Sequence, residues 1–341
     1  MSPSQDLLNM PSPYSEAHKF ENIKGPGDAR PTAFQILLDQ DLVGKLEGKV
    51  ALVTGISSGL GIETARALKA TGMHVFGAVR NLSKAREALK DDLEPGKLDL
   101  ITLDNNSLAS VRAGAREFLS KSDRLNVLIN NAGIMMTPGD MRTDDGFESQ
   151  FGVNHLAHFL LFQLLKSTLL RSATPEFGSR VVNISSSAHA YTPRIFFENI
   201  NLEDMYNPSI AYGQSKLANI YMANHIDRLY SSQHLHALSL MPGGIETGLA
   251  KYLPKEIMEG WLADEEFMRM WKSPEQGAAT QVWAAVGKEL EGKGGVYLED
   301  CHVATHEVEG IKDVGYSDAA YDEEAEGKLW TLSCKLVGVE E

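Results

Sequence analysis

Tyr212 and Lys216 stand four residues apart in "AYGQSKLANI" (211–220), a stretch whose composition reads as helix. Residues at i and i+4 share a helix face, so a phenol and an ammonium can sit one turn apart there. A free phenol ionises at about pH 10, and lowering that by about three units takes roughly 4 kcal/mol of differential interaction. A nearby cation supplies part of this by favouring phenolate. Such a phenol can give a proton to a carbonyl oxygen or take one from an alcohol. A hydroxyl beside it would hold the same oxygen. "VVNISSS" offers Ser185, Ser186 and Ser187 at the end of an apolar run.

Chemistry of this kind needs a second reactant, and a glycine-rich turn points to one. "TGISSGLG" (54–61) follows the apolar run "KVALVTG" and opens the helical pattern "GIETARALKATG", which Gly72 stops. Gly55, Gly59 and Gly61 allow a tight turn and close backbone approach to a ligand. Ser57, Ser58, Leu60 and Ile62 complete the turn and the helix start, where amides and dipole favour a pyrophosphate. Strand before and helix after is the context that dinucleotide binding requires. The spacing is G-x-x-x-G-x-G. The second strand, "MHVFGAVR", ends without Asp or Glu; Arg80 closes it and Lys84 follows. An acid there would hold a ribose 2′-hydroxyl, whereas a cation suits a 2′-phosphate. The expected cofactor is therefore NADP(H) rather than NAD(H). An oxidised nicotinamide would add its positive charge to that of Lys216.

Strand and helix patterns alternate about seven times from Lys49 onward. That predicts a single Rossmann-type, doubly wound α/β domain, a seven-stranded parallel sheet with helices on both faces. One long helical region is expected from about Asp144 to Leu170. Residues 1–44, rich in Pro, Gly and Ser, read as a partly ordered extension that packs on the domain. The domain spans 45–300 and a C-terminal tail covers 301–341. The apolar segment 248–272 follows the sixth strand, where crevice loops lie, and reads as a substrate lid. Net charge is −14 over 341 residues, which disfavours nucleic acid and anionic membrane surfaces. Two cysteines, Cys301 and Cys334, fit a reducing compartment. The apolar stretch "HLAHFLLFQLLKSTLLR" is interrupted by His158, Gln163 and Lys166, so no membrane span is expected. A soluble, cytoplasmic protein is the expectation. Ten histidines are scattered; His302 and His306 share i, i+4 spacing without an evident third ligand, and no metal is expected.

The motifs together resemble the short-chain dehydrogenase/reductase family: "TGISSGLG", "NNAG" (130–133), Asn154 in "FGVNHLAHF", Ser186 in "NISS", "YGQSK" and "PGGIET" (242–247). "NNAGIMM", "NISSSAH" and "YDEEAEGKLWTLSCKLVG" look like its retinol dehydrogenase-like and WW-domain-oxidoreductase-like branch. The resemblance implies that Tyr212 is the general acid/base and that Lys216 binds the nicotinamide ribose and lowers the Tyr212 pKa. Ser186 would orient the substrate carbonyl, and Asn154 would hold a water linking Lys216 to solvent. Asn131, Ala132 and Gly133 would lie by the cofactor ribose and Asp104 by the adenine. Pro242, Gly243, Ile245 and Thr247 would contact the nicotinamide end. Asn105 stands where the family often has an apolar residue, and Glu246 places an acid in the nicotinamide loop. Family resemblance also implies a homodimer or homotetramer, for which the helix around "HFLLFQLL" is a candidate contact. The expected activity is interconversion of a lipophilic carbonyl and its alcohol, as a ketoreductase of secondary metabolism would perform. The alternatives are an epimerase, dehydratase or cyclase on the same fold, or a dinucleotide-binding protein without turnover.

Overall fold

In the computed structural model, residues 3–307 and 314–340 are described; residues 308–313 of the expected tail lie outside them. One sheet organises the chain. Its strands are β1 (Val50–Thr54), β2 (His74–Val79), β3 (Leu98–Thr102), β4 (Val127–Asn130), β5 (Ser179–Ile184), β6 (Leu235–Met241), β7 (Val296–Glu299) and β8 (His302–Val303). They lie in the order β3-β2-β1-β4-β5-β6-β7-β8. Strands β1 to β7 pair in parallel. The two-residue β8 adds an antiparallel edge to the seven expected strands, too short to leave a period in the sequence.

Both faces of the sheet are covered, so the central strands read as continuous apolar runs. Alternate residues feed opposite cores. Ala51, Val53, Val127, Ile129, Val182 and Leu238 join one cluster with Leu68 and Trp283. Leu52, Leu128, Val181 and Ala237 join the other with Phe118, Phe162, Leu217 and Trp330. Cys301 belongs to the first cluster and Cys334 to the second, on opposite faces of the sheet. Strand order reverses between β1 and β4, so the helices leaving their carboxyl ends diverge and open the crevice there.

Two local departures from the expected helices matter. The region expected from about Asp144 starts at Ser149, capped by the buried carboxylate of Glu148, which accepts from the amides of Gln150 and Phe151. It then makes a five-residue π-turn, Gly152–Leu156, before the helix Ala157–Ser172. Such π-bulges are rare and cluster at functional sites. Phe159, Leu160, Phe162 and Leu165 of that helix are buried within the chain, so the apolar side chains expected at a dimer contact are spent internally. Among the described residues no helix is long and apolar enough to cross a membrane.

The C-terminal helix Glu323–Val337 packs on this same face. Trp330 meets Phe159 edge-on at 5.0 Å, Phe162 at 6.1 Å and His225 at 4.9 Å between ring centroids. Trp330→Ala removes that shared contact and is expected to cost about 3–5 kcal/mol, read as a shift of the urea unfolding midpoint. A shift corresponding to under about 1 kcal/mol would show that the helix is peripheral to the core.

Candidate active site

The glycine-rich turn occupies the end of β1. Gly55 and Gly59 have φ of 76° and 61°, the left-handed region that glycine tolerates. A Cβ at Gly55 would lie 2.9 Å from the Cα of Ala132, and one at Gly61 would overlap the Gly55 carbonyl. Gly59 forms the N-cap of the eleven-residue helix Leu60–Ala70. Its Cβ would fall 3.1 Å from the Thr247 methyl. Three distant motifs thus converge within contact of one turn. Asn131 secures it further: its amide side chain donates to Thr54 O at 2.8 Å and Gly55 O at 3.3 Å.

The helix Pro208–Tyr230 lies across β5 and β6 with Asn207 as its cap. Fifteen of its residues are buried, because sheet and C-terminal helix enclose it. Tyr212 and Lys216 are 5% and 4% exposed. The Lys216 ammonium lies 5.4 Å from the Tyr212 ring centroid and donates to Ile184 O at 3.1 Å. Burial lowers its pKa from the ordinary 10.5 to about 8. The Tyr212 hydroxyl faces the Ser186 side chain. Burial raises the Tyr212 pKa, Ser186 opposing it. Burial therefore works against the expected lowering, which rests on Lys216 together with an oxidised nicotinamide.

The structure separates the three serines. Ser185 turns into the helix and donates to Lys216 O at 2.8 Å. Ser187 begins a short 3₁₀ turn, and Ser186 is the one of the three that acts on the Tyr212 hydroxyl. Asn154, in the π-turn, is wholly buried. Its carboxamide accepts from Ile134 N and donates to Ile134 O and Ser215 Oγ, each at 2.9 Å. A Cβ on Gly133 would lie 3.3 Å from Asn154 Oδ1 and 3.7 Å from Lys216 Nζ. Gly133, Asn154 and Lys216 therefore share one corner of the crevice.

The remaining predicted contacts ring the same end of the sheet. Arg80 follows β2 and, like Lys84, is exposed. Asp104 is partly turned to its own loop, its Oδ1 accepting from Asn106 N at 3.0 Å. Pro242 and Gly243 follow β6, with Gly243 at φ 109°. Ile245 bridges to Lys272, and Thr247 accepts from Leu249 N. Glu246 is exposed. His302 lies in β8 whereas His306 is bonded to Asp318. Among the described residues no group of three or more His, Cys, Asp and Glu could hold a metal.

Sequence reasoning missed a buried polar cluster centred on His158. Its Nδ1 is 2.9 Å from Asn154 O, and its Nε2 is 2.9 Å from both Thr54 Oγ1 and Asn105 Nδ2. A carbonyl oxygen only accepts, so Nδ1 carries the proton and Nε2 accepts. Burial holds the pKa at about 4, which keeps the ring neutral. Thr54 Oγ1 in turn accepts from Asn131 N and Ala132 N at 2.9 and 3.0 Å. Asn105, read as a departure near the adenine contact, instead points inward and also donates to Val153 O. The signal was present: Asn154 and His158 have i, i+4 spacing in "VNHLAH".

Comparison with known proteins places this arrangement. The family model described as short chain dehydrogenase matches residues 49–257. The short-chain dehydrogenase/reductase prx1 of Penicillium roqueforti is 52% identical over 96% of this chain and 96% of its own. Human retinol dehydrogenase 11 is 38% identical over 86% of this chain and 87% of its own. The solved Pseudomonas aeruginosa RhlG/NADP active-site complex matches with a TM-score of 0.60 at 25% identity, covering 76% of this chain and 96% of that one. The chain belongs to the short-chain dehydrogenase/reductase family, in its retinol dehydrogenase-like branch. It is an oxidoreductase of a family that binds a nicotinamide dinucleotide. The residues present fit such a group: the positive-φ glycines bring main chain close, and an eleven-residue helix aims its amides into the crevice.

Gly61→Ala must push the turn off Gly55 O and Asn131. It is expected to weaken nicotinamide dinucleotide binding by about a hundredfold or more, since the helix start can no longer approach the phosphates. Fluorescence titration measures this, and wild-type affinity would show that the close approach is dispensable. A second expectation concerns Lys216. The folded protein releases this proton near pH 8 and the unfolded chain near 10.5. Below pH 8 the buried charge is a cost; between pH 8 and 10.5 the unfolded state binds more protons, so this group's contribution to stability rises with pH. Without added nucleotide, Lys216→Met should unfold at higher denaturant than wild type at pH 7, and the gap should close towards pH 10.5. A gap independent of pH would contradict the assignment.

Proposed function

We propose that the protein is an NADP(H)-dependent oxidoreductase that interconverts a carbonyl and an alcohol on a lipophilic small molecule. The reading is carried by one observation: the buried Tyr212 lies one helical turn from a buried Lys216, whose ammonium is 5.4 Å from the Tyr212 ring centroid, at the end of the strand that leads into Ser186. A bound nicotinamide dinucleotide supplies or takes up the hydride. In the reducing direction the raised pKa keeps Tyr212 protonated, ready to donate to the substrate oxygen. Ser186 holds that oxygen through its own hydroxyl and so points it at the phenol. As the proton leaves, negative charge develops on Tyr212 and Lys216 offsets it. In the oxidising direction Tyr212 can accept the alcohol proton once it is deprotonated, which the charges of Lys216 and of an oxidised nicotinamide favour. Asn154 holds the loop at Ile134 and, through Ser215, the turn bearing Tyr212.

Support for NADP(H) comes from Arg80 and Lys84 at the end of β2, with no carboxylate on that strand's last residues, and from an NADP complex among the structural relatives. Support for an apolar substrate comes from residues 248–272, which bring Leu249, Ile257, Met258, Trp261 and Phe267 to this end of the sheet, and from a relative named for retinol. In this reading 45–300 is the catalytic unit and 248–272 its lid.

A panel of lipophilic ketones and aldehydes with NADPH and NADH tests the reading. One cofactor should be oxidised per alcohol formed, with NADPH preferred. Tyr212→Phe should lower kcat by roughly 100- to 10,000-fold, the range for one general acid, with NADPH affinity within about twofold. Full turnover in that variant would remove Tyr212 from the mechanism.

A further inference from the structure

The N-terminal extension has no part in the reaction derived above, yet it carries one of the most engaged side chains in the chain. Arg30 is 4% exposed. Its guanidinium donates to the main-chain oxygens of three consecutive residues, Arg269, Met270 and Trp271, at 3.4, 2.8 and 2.6 Å. It also reaches Gly25 O at 3.2 Å, and Asp28 neutralises it at 2.9 Å. The three captured carbonyls end the helix Glu265–Met270, where a helix has no internal donors left to offer. Gln276 locks the other side. Its amide nitrogen donates to Asp28 O and Arg30 O at 3.1 Å each, and its oxygen accepts from Gly27 N at 2.9 Å.

The grip is mutual. Arg269 Nη2 donates back to Ile23 O at 3.0 Å and Phe20 O at 3.3 Å, and its guanidinium lies 5.3 Å from the Phe20 ring centroid. One residue beyond the captured carbonyls, Lys272 N donates to Gly244 O at 2.8 Å, and Lys272 Nζ reaches Asp300 at 2.5 Å and Pro242 O at 3.2 Å. The same hinge therefore holds the 242–247 loop that meets Gly59 through Thr247. Neither helix of the segment, Lys255–Ala263 or Glu265–Met270, buries a residue, and it is the second whose carboxyl-terminal main chain Arg30 holds.

We propose that Arg30 is a positioning residue that pins the carboxyl-terminal hinge of segment 248–272. The segment then closes over substrate through its Lys255–Ala263 half while the 242–247 loop stays in place. The catalytic consequence rests on the function proposed above; the pinning itself does not. Lysine cannot replace the planar fork that spans several carbonyls.

The test uses full-length protein. In Arg30→Lys, amides of 265–272 should exchange with deuterium about tenfold faster, because local opening is easier once those bonds go. KM for a lipophilic ketone should rise about tenfold, with kcat and NADPH affinity within about twofold, since the loss falls on substrate enclosure and spares the chemical step. Arg269→Ala, at a half-buried surface position, should show the same pattern more weakly and decides the matter if Arg30→Lys does not fold. Unchanged exchange overturns the proposal, and so does faster exchange with unchanged KM. Absence of turnover in the wild type would defeat the reaction reading, while exchange would still report on the hinge.

Discussion

A charged amine is among the costliest groups to bury, and Lys216 is buried at the open end of a parallel sheet. What makes the position tenable is the Ile184 carbonyl at the end of β5, which accepts a hydrogen bond from the ammonium. That bond anchors the helix Pro208–Tyr230 over β5, and the helix then presents Tyr212 one turn earlier. Ser185 adds a second tie from the same strand end to Lys216 O. The proposed proton donor is therefore aimed by main-chain geometry rather than by a flexible contact. The depressed lysine pKa and the raised tyrosine pKa have a single cause, exclusion of water from this corner.

Around that corner the polar groups answer one another. Thr54, Asn105, Asn131, Asn154 and His158 sit at the ends of β1, β3 and β4, in the π-turn and at the start of the helix that follows it. Each is buried or half-buried, and each spends its side chain on a neighbour's main chain or on His158. A buried network of this kind is stabilising only when its members are satisfied. The π-turn belongs to it, since it directs the Asn154 carbonyl to His158 and the Asn154 carboxamide to Ile134 and Ser215. The glycine turn is held in place from below by the same atoms.

The chain also carries structure outside the alternating unit. The C-terminal helix and the 3₁₀ turn Asp318–Tyr321 before it close the face that holds the Pro208–Tyr230 helix: Tyr221 Oη donates to Ala319 O at 2.7 Å, and Asn224 donates to Ala320 O at 3.1 Å and to Glu326 Oε1 at 2.9 Å. The N-terminal extension closes the opposite face, where Ile36 and Leu37 join the core of Trp283. Gln40 pairs with Glu289 at 2.8 Å across 249 positions of sequence. Both additions stiffen elements that border the crevice.

Much of this was readable from residue order alone. Parallel strands buried on both faces must be apolar throughout, so "KVALVTG" and "SRVVNI" declare themselves. The turn glycines, the Tyr212–Lys216 spacing and the family motifs are local, and local spacing survives folding. Tertiary structure alone decided which of three serines meets the phenol, because the end of β5 and the following turn set that side chain's direction. It alone turned Asn105 inward, bent the helix at Asn154, added β8 and gave Arg30 its carbonyls some 240 residues away. It also decided how much water the Tyr212 hydroxyl loses, which raises its pKa, and that is a property of packing rather than of spacing.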